Sequence, residues 1–324
     1  NQKLMSGHFQ PSSNYELRLA VMRWEANQAF AKEIYGEIND WDVSRINDFS
    51  DVFYLQEDFN SDISNWDVSN GTDFSYMFDN ADAFNQDIGS WDVSKGTNFE
   101  MMFFSAEAFN QDIGSWDVSS GNNFWGMFRA ANSFNQDIGS WDVSKGNDFK
   151  WMFARTSVFN QDISRWDVSS GTDFNSMFLE AKVFNQDISS WDVSNGSNFM
   201  WMFRWDPGNE TENSYAFNQD ISSWNIKSDA VLTEMFEGAS KMLTRGWSST
   251  PSVEDFSVGD SSSGNNIVGY VNGVAYSGDF HVMDNGMKMT GASHGAGTDQ
   301  IIYSTVEESM SGSSTGSGSA GSGN

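Results

Sequence analysis

The chain lacks cysteine altogether, and basic residues are scarce. Of its 324 residues, 17 are Lys or Arg and 45 are Asp or Glu, which gives a formal net charge of −28. The absence of cysteine excludes a disulfide framework and a thiolate metal site. The negative charge argues against nucleic acid or an anionic membrane as a partner, because phosphate groups are bound by Lys and Arg. The same charge favours solubility and attracts cations.

Long apolar runs are also missing. No stretch of 18 apolar residues occurs, so we expect no membrane span. No signal-peptide pattern is visible and residue 1 is Asn, so we expect either a processed chain or a piece of a longer one. Aromatic residues, in contrast, are abundant, with 27 Phe and 14 Trp. Disordered chains are poor in aromatic residues, so this abundance predicts a folded core.

A 25-residue repeat dominates the sequence. The segment FNQDIGSWDVSKG stands at residues 84–96 and again, unchanged, at residues 134–146. Its Trp recurs at a fixed interval, and the last interval is longer because about eight residues are inserted near residues 204–216. The repeated tryptophans are Trp41, Trp66, Trp91, Trp116, Trp141, Trp166, Trp191 and Trp224. Such a period is typical of solenoids, propellers and arrays.

Two periodicities within one unit predict its local structure. Around Trp91 and Val93, apolar and polar residues alternate, which predicts a short strand. The residues Phe99, Met102 and Phe103 then begin an i, i+3, i+4, i+7 pattern, which predicts a short helix after an N-capping Thr, Asn or Ser. We therefore predict an α/β solenoid, a parallel coil of about seven to eight turns with one short strand and one short helix per turn. A single unit cannot bury its apolar face alone, so the units must stack.

The repeat resembles that of the BspA-like leucine-rich-repeat surface proteins. The segment FNQDISSWDVSNGSNFMWMF carries the likeness, which covers roughly residues 9–247. Gly and Phe stand where that family's pattern has Val and Met. The resemblance implies a leucine-rich-repeat-like fold and a role in surface display and adhesion rather than catalysis. It also implies an N-terminal helical cap at residues 1–40, with a helix over Tyr15–Lys32, before the solenoid at residues 41–247.

The C-terminal part differs from the repeat. After a linker at residues 248–264, we predict a β-hairpin attachment motif at residues 265–304, because Asn272-Gly273 and Asn285-Gly286 lie between β-prone runs. This segment resembles a short motif near the ends of structural proteins of marine tailed phages. The matching residues are Tyr276, Gly278, Phe280, His281, Gly286, Met289, Gly291 and His294. Residues 305–324 are rich in Ser and Gly, which predicts a flexible tail.

Acidic side chains recur at two positions of successive units. One column lies in the turn before the predicted strand, where Asp is a common turn former. It consists of Asp62, Asp87, Asp112, Asp137, Asp162, Asp187 and Asp220.

The other acidic column supplies the candidate metal ligands. For calcium, the candidates are Asp67, Asp92, Asp117, Asp142, Asp167 and Asp192. Carboxylates stacked about 4.8 Å apart repel one another unless something compensates. One interpretation is that Ca²⁺ bridges them. The alternative is that each Asp accepts hydrogen bonds from nearby N–H or hydroxyl groups. No other cofactor is expected.

A column of asparagines also follows the repeat. It consists of Asn60, Asn85, Asn110, Asn135, Asn160, Asn185 and Asn218. We predict that these side chains bond to the units before and after them.

Large apolar side chains occupy helix positions that lie off the predicted inward stripe. We interpret six of them as candidate partner-binding residues, because exposed apolar and aromatic side chains favour interfaces. These are Tyr76, Met101, Trp125, Trp151, Trp201 and Trp205. The alternative is that they fold over the neighbouring unit and complete the core.

The patterns together favour a non-enzymatic structural and interaction protein. No nucleophile elbow, P-loop or dinucleotide motif occurs, and the three His are scattered. The two resemblances favour a phage virion component, such as a tail, baseplate, fibre or capsid-surface protein, in an oligomeric assembly. Its partners would be other virion proteins, or a host-surface receptor or glycan. A cell-surface adhesin of a bacterium or alga is the alternative, and a polysaccharide-active enzyme is the third hypothesis.

Overall fold

The computed structural model describes residues 9–206 and 215–256, together with five short strands between residues 269 and 302. The chain divides into two compact units, Asn1–Phe256 and Ser257–Asn324. The helices of the first unit are α1 (Asn14–Ala26), α2 (Gln28–Tyr35) and α3 (Ser240–Thr244), with 3₁₀ turns at Ile38–Asp40 and Val253–Phe256. Among the described residues, no helix has both the length and the apolar character needed to span a bilayer.

The compact part formed by Asn1–Phe256 begins with two helices rather than one. The Ser13 side chain caps α1 by accepting a hydrogen bond from the Glu16 amide. The prediction of one continuous helix over Tyr15–Lys32 was wrong, because the chain is extended at Asn27 and a second helix follows this residue. The Asn27 side chain accepts a hydrogen bond from the Phe30 amide at 3.0 Å. Asn favours such a cap because its side chain competes with the helix for backbone N–H groups.

Helix α1 covers the open edge of the first repeat. It buries one stripe of side chains, Leu17, Ala20, Val21 and Trp24. The Asn14 side-chain amide donates to the carbonyl oxygens of Asp48 and Ser50, at 3.1 and 2.8 Å. Arg18 forms an ion pair of 3.1 Å with Asp51. The Asn14 bonds satisfy backbone acceptors that would otherwise be free to pair with another chain.

Successive repeats are joined by a ladder of backbone hydrogen bonds. The amides of Phe74, Tyr76, Phe78 and Asn80 donate to carbonyl oxygens of the next unit at 2.8–2.9 Å. The same alternation recurs from Phe49 to Trp205. Isolated parallel bridges connect one residue of each unit, in the order Asp48, Asp73, Asn98, Asn123, Asp148, Asp173, Asn198 and Val231. Each unit therefore lies against the next with the same register.

The short helix predicted in each unit does not form among the described residues. Alternate amides point to the next unit, and those between them close tight turns, as when the Met77 amide bonds to the Phe74 carbonyl oxygen. Tyr76 and Asn80 have φ angles of 56° and 54°, and equivalent left-handed residues recur in most other units. A helix would instead direct every amide along its own axis. A series of turns thus buries side chains at the same i, i+3, i+4, i+7 spacing that predicts a helix.

The strand predicted around each repeated Trp also does not form. The parallel bridge lies at Asn98, immediately before Phe99, and not at Trp91 or Val93. The ladder that joins the units begins at that bridge and continues through the turns. Assignment of these stacked units to the leucine-rich-repeat-like solenoid class stays a prediction.

Stacked aromatic rings fill the interior of the compact part of the chain formed by Asn1–Phe256. Phe78 and Phe103 lie 5.4 Å apart with ring planes 2° from parallel, and Trp141 and Trp166 lie 6.5 Å apart at 1°. These rings are almost completely buried. The Trp141 indole nitrogen donates to a backbone oxygen of the preceding unit, so the ring can be buried without an unpaired donor.

The asparagine ladder predicted from the sequence is confirmed toward the following unit only, since no described side-chain bond of these residues runs to the preceding unit. The side-chain oxygen of Asn85 accepts hydrogen bonds from the Asn110 amide and from the Gln111 side chain, both at 2.9 Å. The equivalent bonds recur from Asn60 to Asn218. One side chain therefore fixes two donors of the following unit.

The last repeat is covered by the residues that follow it. The amides of Glu234 and Phe236 donate to the Thr250 hydroxyl and the Ser249 carbonyl oxygen, at 2.9 and 3.0 Å. Phe256 is buried and stacks 6.4 Å from Trp224. The linker predicted at 248–264 therefore starts too early, because residues 248–256 complete the first unit.

The second unit contains five short strands, β1 (Gly269–Val271), β2 (Val274–Tyr276), β3 (Phe280–Val282), β4 (Lys288–Thr290) and β5 (Ile301–Ile302). β1 pairs antiparallel with β2, and β4 pairs antiparallel with both β3 and β5. The two hairpin pairings flank the predicted turns at 272–273 and 285–286. The turn residues themselves lie outside the described part of the chain.

Candidate functional site

Four positions of each repeat hold residues that change from unit to unit. They are the two residues after each Phe of the Phe-x-x-Met-Phe segment, and we call them the variable face. Most of these residues are at least partly exposed, and the buried ones are Ser75, Asp79, Met101, Gly126, Ala154, Asn175 and Ser176. In the described repeats from Phe49 to Trp205, the face consists of residues 50–51, 54–55, 75–76, 79–80, 100–101, 104–105, 125–126, 129–130, 150–151, 154–155, 175–176, 179–180, 200–201 and 204–205. The Phe residues between them are fully buried.

Two of the candidate partner-binding residues contact the neighbouring unit. The Tyr76 hydroxyl, which is half-buried, donates a hydrogen bond to the Glu100 carboxylate. Burial raises the pKa of Tyr76, and the bond to Glu100 raises it further. Met101 is only 9% exposed, and its Cγ lies 3.1 Å from where a Cβ on Gly126 would stand. The interpretation as a core-completing residue therefore suits Met101 better than partner binding.

Trp125 and Trp151 come together in adjacent units. Their ring centroids are 6.2 Å apart and the rings are tilted by 48°. The Lys150 ammonium group lies 5.3 Å from the Trp125 ring and 5.1 Å from the Trp151 ring. The Arg129 guanidinium group lies 4.1 Å from the Trp151 ring, close enough for a cation–π interaction. We call Trp125, Arg129, Lys150 and Trp151 the cationic tryptophan patch.

Polar groups of the patch lack protein partners within the part of the chain that is described. The indole nitrogens of Trp125 and Trp151 are covered and donate to no acceptor there. Neither Arg129 nor Lys150 forms an ion pair with a described carboxylate. Burial of the Arg129 guanidinium group lowers its pKa. Sequence reasoning missed both cations. Their positions in the sequence could have indicated them, because Arg129 and Lys150 both lie on the variable face in adjacent repeats.

Trp201 and Trp205 form a second aromatic group. The Trp201 indole nitrogen donates to the Glu234 carboxylate at 2.9 Å, and the Arg204 guanidinium group lies 5.2 Å from the Trp201 ring. Trp205 stacks 5.8 Å from Tyr215, which is buried. Residues 207–214 of the predicted insert lie outside the described residues. The six candidates therefore do not make one site, since only Trp125 with Trp151 combines half-buried rings with cations that form no ion pair in the described part of the chain.

The acidic columns are held by local hydrogen bonds. Asp142 accepts a hydrogen bond from the Ser144 amide at 3.0 Å, and bonds from Ser144 lower the pKa of Asp142. The same turn recurs at the other candidates, Asp67, Asp92, Asp117, Asp167 and Asp192. Among the described residues, no group of three or more His, Asp or Glu could hold a metal ion. The hydrogen bonds required by the alternative interpretation are present, and calcium bridging stays a prediction.

The attachment motif is described only in part. Tyr276 lies in β2, Phe280 and His281 lie in β3, and Met289 lies in β4 opposite His281. Gly278, Gly286, Gly291 and His294 lie outside the described residues. The role of this motif in attachment therefore stays a prediction.

Comparison with known proteins identifies a family for the repeats. A family model described as "Mycoplasma protein of unknown function, DUF285" matches residues 22–138, 116–212 and 209–257. These matches overlap, as expected for a repeat, and they are consistent with a BspA-like surface protein. They do not extend to residues 265–304, so the likeness to phage proteins rests on the short motif alone. No curated protein and no solved structure matches the chain.

Proposed function

Because the chain belongs to the DUF285 family of repeat proteins, we propose that it is a surface-displayed, non-enzymatic interaction protein. In this proposal the units form a leucine-rich-repeat-like solenoid that presents the variable face to a partner. The solenoid supplies a scaffold, and the face supplies recognition.

The contrast between a constant core and a variable face carries the proposal. The buried Phe, Met and Phe side chains are nearly the same in every described unit, whereas the face holds a different set in each. A surface needed only for solubility would be polar throughout, as the Asp and Ser turns of the repeats are. Instead the face concentrates Trp, Tyr, Met, Arg and Lys, which is the composition that favours protein interfaces.

The uniformity of the acidic columns supports a non-enzymatic role. Glycoside hydrolysis needs two carboxylates in different surroundings, one protonated and one ionised. The aspartates of each column instead accept the same bond from the residue two positions later. A polysaccharide-active enzyme would have to use other residues.

The proposal places the protein on a phage virion, with a bacterial or algal cell surface as the alternative. The motif at residues 265–304 supports the virion, whereas the family match supports a surface repeat protein more generally. Mass spectrometry of purified particles and of cell envelopes distinguishes the two. We expect enrichment in particles, and enrichment in envelopes would favour the adhesin.

Binding through the variable face can be tested with matched variants. A labelled chain is incubated with cells of the source culture, and bound fluorescence is measured. The triple variant Trp125→Ser, Trp151→Ser and Trp201→Ser should lose most binding. A control with Asp67→Asn, Asp117→Asn and Asp167→Asn should keep it, provided that both variants melt cooperatively. Equal binding by the two variants would contradict a role for the face.

A further inference from the structure

We propose that the cationic tryptophan patch binds an anionic polysaccharide whose sugar rings carry carboxylate or sulfate groups. This inference rests on the proposed function, since it names the ligand class of the variable face. The patch combines two features that such a polymer requires, unpaired cations and flat apolar rings.

The charges of the patch are opposite to those of the chain as a whole. The protein carries a net charge of −28, with 17 basic residues against 45 acidic ones. Among so many carboxylates, a Lys and an Arg would be expected to pair. Arg155 does so, with a 2.8 Å contact to Glu180.

Arg129 and Lys150 instead lie over Trp151 without an ion pair in the described part of the chain. Glu180 acts electrostatically on Arg129 without closing to an ion pair. Asp148 interacts with Lys150 in the same way. Both cations can therefore still bind an anionic group.

The two tryptophans are not explained by stability. Each buries an indole N–H group that has no acceptor within the described residues, and an unsatisfied buried donor destabilises the folded state. A Phe at either position would bury a similar ring without that penalty. Trp does offer a large, rigid, amphipathic surface of the kind that is enriched where ligands bind. The C–H face of a sugar ring can pack against it.

The backbone at the patch favours a sugar over a peptide. A bound peptide strand would need free amide and carbonyl groups on the protein. The Trp151 amide already donates to the Asn175 carbonyl oxygen at 2.9 Å, and the Trp125 carbonyl oxygen accepts from the Met101 amide at 2.7 Å. Only side chains are left for recognition. A polysaccharide can be bound by side chains, through ring packing and charge.

The spacing of the units suits a linear polymer. Trp125 and Trp151 belong to adjacent units, and hydrogen-bonded strands lie about 4.8 Å apart. A polymer that follows the stack would meet one ring and one cation, then the next ring and the next cation. Binding of short oligosaccharides should therefore strengthen as the chain grows to cover both units.

Isothermal titration calorimetry of the full chain tests the proposal with defined probes. The probes are oligogalacturonate, a sulfated hexasaccharide, a neutral cello-oligosaccharide and oligoglutamate. We expect binding of at least one anionic sugar, weaker binding at high salt because charges are screened, and no binding of the neutral sugar. The double variant Arg129→Gln, Lys150→Gln should lower the affinity at least tenfold.

A matched charge control makes the result specific. The double variant Lys95→Gln, Lys145→Gln removes the same charge from exposed positions elsewhere in the repeat and should bind like the unaltered chain. Equal loss in both variants, equal binding of oligoglutamate, or no binding of either anionic sugar would overturn the proposal. If cell binding still depends on Trp125 and Trp151 while no sugar binds, the ligand class is wrong and the proposed function stands.

Discussion

The indole nitrogen of Trp141 donates a hydrogen bond of 3.0 Å to the carbonyl oxygen of Ile113, which belongs to the preceding unit. The same bond joins Trp116 to Ile88 and Trp166 to Ile138. A residue invariant through the repeat thus links two units by a polar contact inside an aromatic core. Trp serves there both as a ring in the stack and as a donor.

Replacing Trp141 by Phe should separate these two roles. The variant keeps a ring but removes the indole donor to the Ile113 carbonyl oxygen, which still accepts from the Trp116 amide at 3.1 Å. We therefore expect a loss of about 0.5–1.5 kcal/mol in the free energy of unfolding from the lost hydrogen bond. Urea denaturation followed by circular dichroism measures it. Trp151→Phe is the control, because its indole nitrogen has no acceptor in the described residues. Equal losses in the two variants would show that ring size alone matters.

The asparagine ladder predicts a difference between two substitutions of one residue. The Asn135 side-chain oxygen accepts from the Asn160 amide at 3.0 Å and from the Gln161 side chain at 3.1 Å. Asn135→Ala removes this acceptor, although the Gln161 side chain keeps its bond to the Asn135 carbonyl oxygen at 2.9 Å. The Asn160 amide loses its partner, which should cost about 1–3 kcal/mol. Asn135→Asp keeps an acceptor and should cost less. Thermal melting of both variants at pH 7 makes the comparison, and a larger loss for the Asp variant would contradict it.

The left-handed residues predict an unusual effect of glycine. Ala130 has a φ of 56°, which strains a residue with a side chain by about 1–2 kcal/mol. Ala130→Gly should relieve that strain and raise the free energy of unfolding by roughly 0.5–1 kcal/mol, after the greater freedom of glycine in the unfolded chain is subtracted.

Two controls accompany this substitution. Gly126→Ala should destabilise the protein, because Gly126 has a φ of 61° and its new Cβ would lie 3.1 Å from Met101 Cγ. Ala154→Gly should also destabilise it, since Ala154 is buried and is not among the residues with positive φ. Chemical denaturation of the three variants gives the order, and a destabilised Ala130→Gly chain would refute the argument.

Asp79 predicts how stability depends on pH. Burial raises the pKa of its carboxyl group from 3.8 to about 6. Between these two values the folded state binds a proton that the unfolded state does not, so this group's contribution to stability falls as the pH rises from about 4 to 6. Above that range the folded chain holds a buried charge.

The variant Asp79→Asn should remove this penalty. We expect the melting temperature at pH 7 to rise by roughly 2–4 °C, which corresponds to about 1 kcal/mol in a domain of this size, with little change at pH 4. Asp142→Asn is the control, because hydrogen bonds from Ser144 lower the pKa of Asp142 and no such gain should appear. A gain that did not vary with pH would point to packing instead of charge.

Chelation distinguishes the two interpretations of the acidic columns. The aspartates already accept hydrogen bonds from amides two residues later, for example Asp117 from Ser119 at 3.0 Å. We therefore expect EDTA to leave the melting temperature unchanged. A fall of several degrees, reversed by added calcium, would support ions that bridge the columns. Differential scanning calorimetry with and without chelator provides the measurement.

The sequence predicted the register of the repeat and the side chains that it buries, because identical spacing places identical residues against one another. It also predicted the asparagine ladder. It misidentified the segment from Phe99 to Ala106, since the same apolar spacing arises from a helix or from alternating turns. Nothing in that segment signals a left-handed backbone, because Met101 and Ser105 are not residues that favour positive φ.

The sequence predicted the aromatic residues of the candidate site but not its cations. Large apolar residues stand out against the repeat, so Trp125 and Trp151 were found. Arg129 and Lys150 were not, because their meaning depends on which residues of adjacent units face each other. Asn27 was likewise read as part of a helix, and only the structure shows that its side chain caps the second one.

Both ends of the stack are closed by dedicated segments, Asn14 and its helix at one end and residues 248–256 at the other. The units between them repeat the same backbone ladder, and residues 84–96 are identical to residues 134–146. Deletion or duplication of whole 25-residue units would keep the register of the stack. Each product would still join its two terminal segments to intact neighbours, so copy number can change while the ends are inherited unaltered.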